Sequence, residues 1–113
     1  MGQSILLVED DPRLAAAITD ILTQANYAVD GPHKTLSDGM EALARRMPSG
    51  AVLDTRFQHG GAEILADDLE NYDIPFVFCG TSHGEAAVHP DAPILASSTL
   101  YHRLVPALRE ILP

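Results

Sequence analysis

An α/β fold built on a parallel sheet is predicted by three observations. Short apolar runs alternate with longer amphipathic segments along the 113 residues, and there are five such runs. Parallel neighbours need crossover connections, which the intervening segments supply. The first run, Ile5-Leu6-Leu7-Val8, is apolar without alternation, as a strand buried on both faces should be.

That run ends at Glu9-Asp10-Asp11-Pro12. Asp11 suits an N-cap, and Pro12 suits the first helical position, where a missing N–H costs nothing. Leu14, Ala17, Ile18, Ile21, Leu22 and Ala25 then follow helical spacing. Tyr27-Ala28-Val29 reads as a second, more exposed strand, closed by Gly31-Pro32. Thr35 to Asp38 has the form of a capping box ahead of Met40, Leu43, Ala44 and Met47. Pro48-Ser49-Gly50 breaks that helix, and Ala51-Val52-Leu53 runs into Asp54 as a third strand. Gly60-Gly61 precedes a helix carrying Ile64, Leu65, Asp68 and Leu69, and Ile74 to Cys79 is a fourth strand.

The last third of the chain holds two irregularities. The polar stretch Gly80 to Ala92 contains Gly84 and Pro90 and leaves room for about one or two helical turns, so the fourth helix is shortened. Pro93 to Ala96 forms a short fifth strand, and Leu100, Leu104, Leu108 and Ile111 line a final helix. Pro106 lies inside that helix and should kink or restart it.

The length suits one domain over residues 1–113, with no output domain after it. Sixteen Asp and Glu against seven Lys and Arg give a net charge of −9. A nucleic-acid surface needs a basic stripe, and an anionic membrane repels this charge, so neither is an expected partner. The lone Cys79 excludes an internal disulfide and fits a reducing compartment; as part of a buried strand it packs as a small hydrophobe. No apolar run reaches a membrane span, no signal peptide is visible, and Leu6 stands where a myristoylation motif wants Ser or Thr. A cytoplasmic protein is expected.

In an open parallel sheet, function collects at the C-terminal ends of the strands. Glu9 and Asp10 end the first strand and Asp54 the third, so neighbouring strands would bring three carboxylates together. Like charges about 4 Å apart cost roughly 4 kcal/mol per pair at an effective dielectric of 20. A hard divalent cation relieves that cost, and oxygen ligands with solvent access favour Mg²⁺. The plainer reading is that Glu9 and Asp11 cap the first helix and Asp54 the third. Asp11 fits that role; Asp54 does not, because Gly60-Gly61 starts the third helix several residues later.

The run from Ile5 to Pro12, Asp54 after Ala-Val-Leu, and Ile74-Pro-Phe-Val-Phe together resemble the receiver domain of two-component response regulators (CheY-like). The likeness extends over essentially the whole chain. It implies a doubly wound five-stranded sheet in the order 2-1-3-4-5, with helices on both faces. It implies Asp54 as phosphoacceptor in a phosphorelay, with a sensor histidine kinase or histidine phosphotransfer protein as partner. It further implies Mg²⁺ held by Asp10 directly, by Glu9 through water, by Asp54, and by the backbone carbonyl of Arg56. No enzyme activity beyond self-phosphorylation chemistry is expected, and a homodimer is left open.

The sequence departs from the family's pattern on the other side of that site. A Thr or Ser normally ends strand four, but the register of Ile74-Pro75 puts Gly80 there and Thr81 one place late. A one-residue slip turns a side chain to the other face unless a bulge corrects it. Ser97-Ser98 stands where a Lys is usual, and Lys34, the only lysine, follows strand two. The aromatic switch position falls on Ile94. Arg56 could place its guanidinium on a phosphoryl oxygen, or simply balance nearby acid.

Two other chemistries fit less well. His59, His83 and His89 could join the carboxylates at a transition metal, but their spacing matches no zinc signature. A phosphatase with an aspartyl intermediate usually wants a second acid where Arg56 stands, and a flavin phosphate would be repelled by the acidic first loop. The leading expectation is an atypical stand-alone receiver. The alternative is a phosphorylation-independent interaction module on a receiver scaffold, supported by Gly80, Ile94 and Ser97.

Overall fold

The computed structural model describes residues 3–54, 61–79, 94–96 and 99–112, with 61–63 and 94 described by backbone alone. β1 (Ser4–Val8) leads through α1 (Pro12–Gln24) to β2 (Ala28–His33), and α2 (Leu36–Arg45) leads to β3 (Gly50–Asp54). α3 (Gly61–Asn71) precedes β4 (Phe76–Cys79), and β5 (Ile94–Leu95) precedes the last helix, α4 (Leu100–Ile111). The strands form one parallel sheet in the order β2-β1-β3-β4-β5, which is the order the resemblance implied.

Strand alternation divides the core into two layers. Leu6, Val8, Ala51, Leu53, Phe76 and Phe78 pack on Ala42 and Leu43 of α2 and on Leu65, Ala66 and Leu69 of α3. Ile5, Leu7, Val52, Val77, Cys79 and Leu95 pack on Ile18, Ile21 and Leu22 of α1 and on Leu100, Leu104 and Leu108 of α4. Each fully buried Leu, Ile or Phe among them contributes roughly 1.5–3 kcal/mol by leaving water. Phe76 and Phe78 add an edge-to-face contact with ring centres 5.6 Å apart.

The helix starts follow their local chemistry. The Asp11 carboxylate accepts from the Arg13 and Leu14 N–H groups, with Pro12 next in line, and the Thr35 hydroxyl accepts from the Asp38 N–H. Asn26 takes a left-handed φ of 69° just past the end of α1, a conformation Asn tolerates well. Gly39 sits where α2 comes closest to β1: a Cβ there would lie 2.7 Å from Val8 Cγ2.

Several expectations are corrected. β2 does not close at Gly31-Pro32 but runs through it to His33, with one extra residue accommodated as a bulge. Gly31 makes this feasible: its φ is 127°, and a Cβ would meet the Leu7 carbonyl oxygen at 2.6 Å. The β4 ladder starts at Phe76 rather than Ile74, since Pro75 has no N–H to donate. On α2 the buried face is Gly39, Ala42 and Leu43 while Ala44 is exposed, and the helix ends at Arg45, so Met47 lies beyond it and is exposed. On α3, Ile64 is likewise exposed while Leu65, Ala66 and Leu69 are buried.

Pro106 does not interrupt α4, which runs unbroken to Ile111. The carbonyl left without an intrahelical donor belongs to exposed His102, where water can take the bond. The shortened helix expected over 80–92 lies outside the described residues. Among the described residues, no helix is long and apolar enough to cross a membrane. Asp67, Glu70 and Asp73 are on the surface, as a solvating coat requires.

Candidate functional site

Three neighbouring strands end together at the C-terminal edge of the sheet. Val8 stands opposite Leu53, and Asp54 stands opposite Cys79. The residue after Val8 is Glu9, so Glu9 and Asp54 emerge side by side, one strand spacing apart. Carboxylate oxygens of Glu9, Asp10 and Asp54 all lie within 4.8 Å of one another. Glu9 and Asp54 are each 1% exposed, whereas Asp10 is open to solvent.

Both ends of Glu9 are held. Its backbone N–H donates to the His33 carbonyl at 2.9 Å, and its Oε2 accepts from the Asp11 N–H at 3.1 Å. Asp11 itself is turned to the helix it caps and is outside the carboxylate group. The loop from Glu9 to Asp11 thus splits its three acids: two go to the cluster and one to the cap.

Cys79 completes the floor of this edge. Burial pushes its thiol well above the ordinary range, and the nearby Glu9 and Asp54 carboxylates push it further. Its side chain packs in the layer of Val52, Val77 and Leu95, and among the described residues the ligand atoms that converge here are carboxylate oxygens. Oxygen donors, two of them buried and one wet, fit a hard, partly hydrated cation such as Mg²⁺. They do not fit a soft thiolate-seeking metal.

The structure therefore brings together the three carboxylates singled out in the sequence. Arg56, Gly80, Thr81 and Ser97 lie outside the described residues, as do His59, His83 and His89. Ile94 is placed in β5 opposite Phe78, by its backbone. Sequence reasoning missed His33, whose carbonyl holds Glu9. The usable signal was Gly31, because a glycine next to a strand pattern marks a bulge as readily as an end.

No family model matches the sequence, and no curated protein matches it. Solved structures do. The chain superposes on a response regulator receiver protein from Sinorhizobium medicae with a TM-score of 0.83 and 25% identity, covering 97% of this chain and 94% of that one. The BeF3-activated conformation of SdrG from Pseudomonas melonis gives a TM-score of 0.79 and 25% identity, covering 97% of this chain and 96% of that one. The stress response regulator PhyR gives 0.74 and 23%, with 98% of this chain covered; the chain spans only 46% of PhyR. Sheet order, strand-end carboxylates and these neighbours agree with one another, and the chain has the fold of the receiver domains of response regulators.

Proposed function

We propose that Asp54 accepts a phosphoryl group, with Glu9, Asp10 and Asp54 holding Mg²⁺. The convergence of three carboxylates within 4.8 Å carries this reading. Such a cluster is costly to build and gains nothing structurally unless a cation joins it. When bound, Mg²⁺ supplies charge neutralisation for incoming phosphoryl oxygens.

The chain's own residues then have defined tasks. An Asp54 oxygen attacks phosphorus; the P–O bond forms as the P–N bond to a donor imidazole breaks. The electron pair leaves with that imidazole nitrogen, which takes up a proton. Catalysis of such transfer is mostly positioning, so fixing Glu9 at both ends matters more than any acid–base group. The donor is a sensor histidine kinase or a histidine phosphotransfer protein, and no catalysis beyond this self-phosphorylation belongs to the reading. The added charge of about −1.5 to −2 would act on neighbouring loops. With Gly80, Ile94 and Ser97 at the positions that normally read that charge, the conformational response is weak.

Beryllofluoride with Mg²⁺ tests the proposal, because it mimics an aspartyl phosphate. Binding by the native chain and its loss in Asp54→Asn are expected. No binding at millimolar Mg²⁺, or equal binding by the variant, refutes it. The departures at Gly80, Ile94 and Ser97 favour a second reading, a phosphorylation-independent interaction module. That reading expects partner binding unchanged by Asp54→Asn and by chelator.

A further inference from the structure

We infer that the bulged end of β2 positions the acidic loop, with Asp30 and His33 as positioning residues that hold Glu9 in place for a cation. The inference rests on the reading of Glu9, Asp10 and Asp54 as a cation site.

Register arithmetic comes first. Leu6 stands opposite Asp30, yet Val8 stands opposite His33, so two steps along β1 match three along β2. Without the extra residue, Pro32 would stand opposite Val8. The bulge advances β2 so that the His33 carbonyl meets the Glu9 N–H at 2.9 Å. This is the last rung of the β1–β2 ladder, and it falls on a residue of the carboxylate cluster.

The bulge is then tied across its base. His33 Nε2 lies 2.9 Å from Asp30 Oδ1, with the two side chains 17% and 31% exposed. These residues flank Gly31-Pro32, so the pair closes a short loop of backbone whose shape only Gly31 permits. A Cβ at Gly31 would lie 2.6 Å from the Leu7 oxygen and 2.8 Å from the His33 nitrogen. The side-chain tie fixes where the His33 carbonyl points, and that carbonyl fixes Glu9. Geometry held in advance spares a cation the cost of ordering its ligands.

Three variants separate positioning from charge: His33→Ala, Asp30→Ala and Asp30→Asn. Asn keeps an oxygen for the His33 ring but, like Ala, removes the negative charge. The two readouts, at one fixed pH, are Mg²⁺ titration calorimetry and amide hydrogen exchange by NMR. Asp30→Ala and His33→Ala are expected to weaken Mg²⁺ roughly three- to tenfold, the net worth of about one hydrogen bond. Exchange at the Glu9 amide should rise with it, while the Leu53 and Val77 amides keep their native rates. Asp30→Asn should stay within about twofold of native affinity.

Native affinity and unchanged Glu9 exchange in both alanine variants would overturn the inference. So would an Asp30→Asn loss equal to that of Asp30→Ala, which marks a charge effect. If the native chain takes up no Mg²⁺, the cation reading itself fails. The Glu9 exchange rates then decide alone: a rise in both alanine variants upholds the tie, and no rise overturns it.

Discussion

Asp54→Asn should make the metal-free protein more stable, although it alters the residue on which function centres. Glu9 and Asp54 are each 1% exposed, with oxygens no more than 4.8 Å apart. At an effective dielectric of 20, two unit charges at 4.8 Å repel by about 3.5 kcal/mol. Asn has nearly the volume of Asp, so the substitution removes the repulsion without opening a cavity. Other interactions of the two carboxylates offset part of that repulsion, which brings the expected gain to about 1–3 kcal/mol. For a domain of this size that is a rise of roughly 4–12 °C in Tm. Mg²⁺ should close or reverse that gap, since a cation at a hundred times its dissociation constant stabilises the native chain by about 2.7 kcal/mol. The variant, missing one ligand, gains little. Differential scanning calorimetry at pH 7.5, once in EDTA and once in saturating Mg²⁺, measures both effects. An Asp54→Asn protein no more stable than native in EDTA refutes the like-charge account of the site.

Three further outcomes follow from other parts of the structure. Asp11→Ala removes the cap on α1 and should cost about 1 kcal/mol in urea denaturation. It should leave Mg²⁺ affinity within about twofold, because the bond Asp11 gives to Glu9 comes from its backbone N–H, which Ala keeps. Gly39→Ala sets a methyl 2.7 Å from Val8 Cγ2. Overpacking of about 1–3 kcal/mol should outweigh the roughly 1 kcal/mol gained in helix propensity, so a raised urea midpoint would contradict the packing described. Cys79→Val tests the buried thiol through pH. The folded thiol keeps its proton above the ordinary thiol range, while the unfolded chain releases it. Stability is therefore intact below about pH 8.5 and falls above it by up to about 1.4 kcal/mol per pH unit. Unfolding curves at pH 8 and pH 10 should show this loss in the native chain and a smaller one in Cys79→Val.

The parts of this fold that are legible in the sequence are those set by short-range chemistry. An unbroken apolar run marks β1, and an Asp-Pro pair marks the start of α1, because both signals act within a few residues. The carboxylate site is legible for a similar reason: residues that end adjacent parallel strands must meet. What was misread depends on partners far along the chain. Gly31-Pro32 has the local chemistry of a strand end, and only the Leu7 carbonyl beside it makes it a bulge. Ala44 and Ile64 satisfy helical spacing, yet the rotation of α2 and α3 on the sheet is set by Gly39 against Val8 and by Leu65 and Leu69 in the core, and α2 ends before Met47. Pro106 reads as a break, but an exposed position lets water replace the bond it removes.

The two halves of the site rest on different strands, and this explains how one can depart from the family's pattern while the other keeps it. Glu9 and Asp54 follow or end β1 and β3, two inner strands of the sheet, with β2 holding Glu9 and α1 capped beside it. A substitution there disturbs the ladder, the cap or a buried carboxylate, and each costs stability as well as chemistry. Gly80 is next in sequence after β4, Ile94 is in β5 at the far edge of the sheet, and Ser97 lies two residues beyond β5 in sequence. The two hydrogen bonds described at Glu9 come from the other side: it donates to the His33 carbonyl at the end of β2 and accepts from the Asp11 N–H before α1. On the proposed reading, the departures at Gly80, Ile94 and Ser97 therefore leave these two bonds to Glu9 in place. The proposed reading therefore expects a chain that binds Mg²⁺ and beryllofluoride with little change of shape, and NMR shift changes on beryllofluoride binding that spread across β4 and β5 would contradict it.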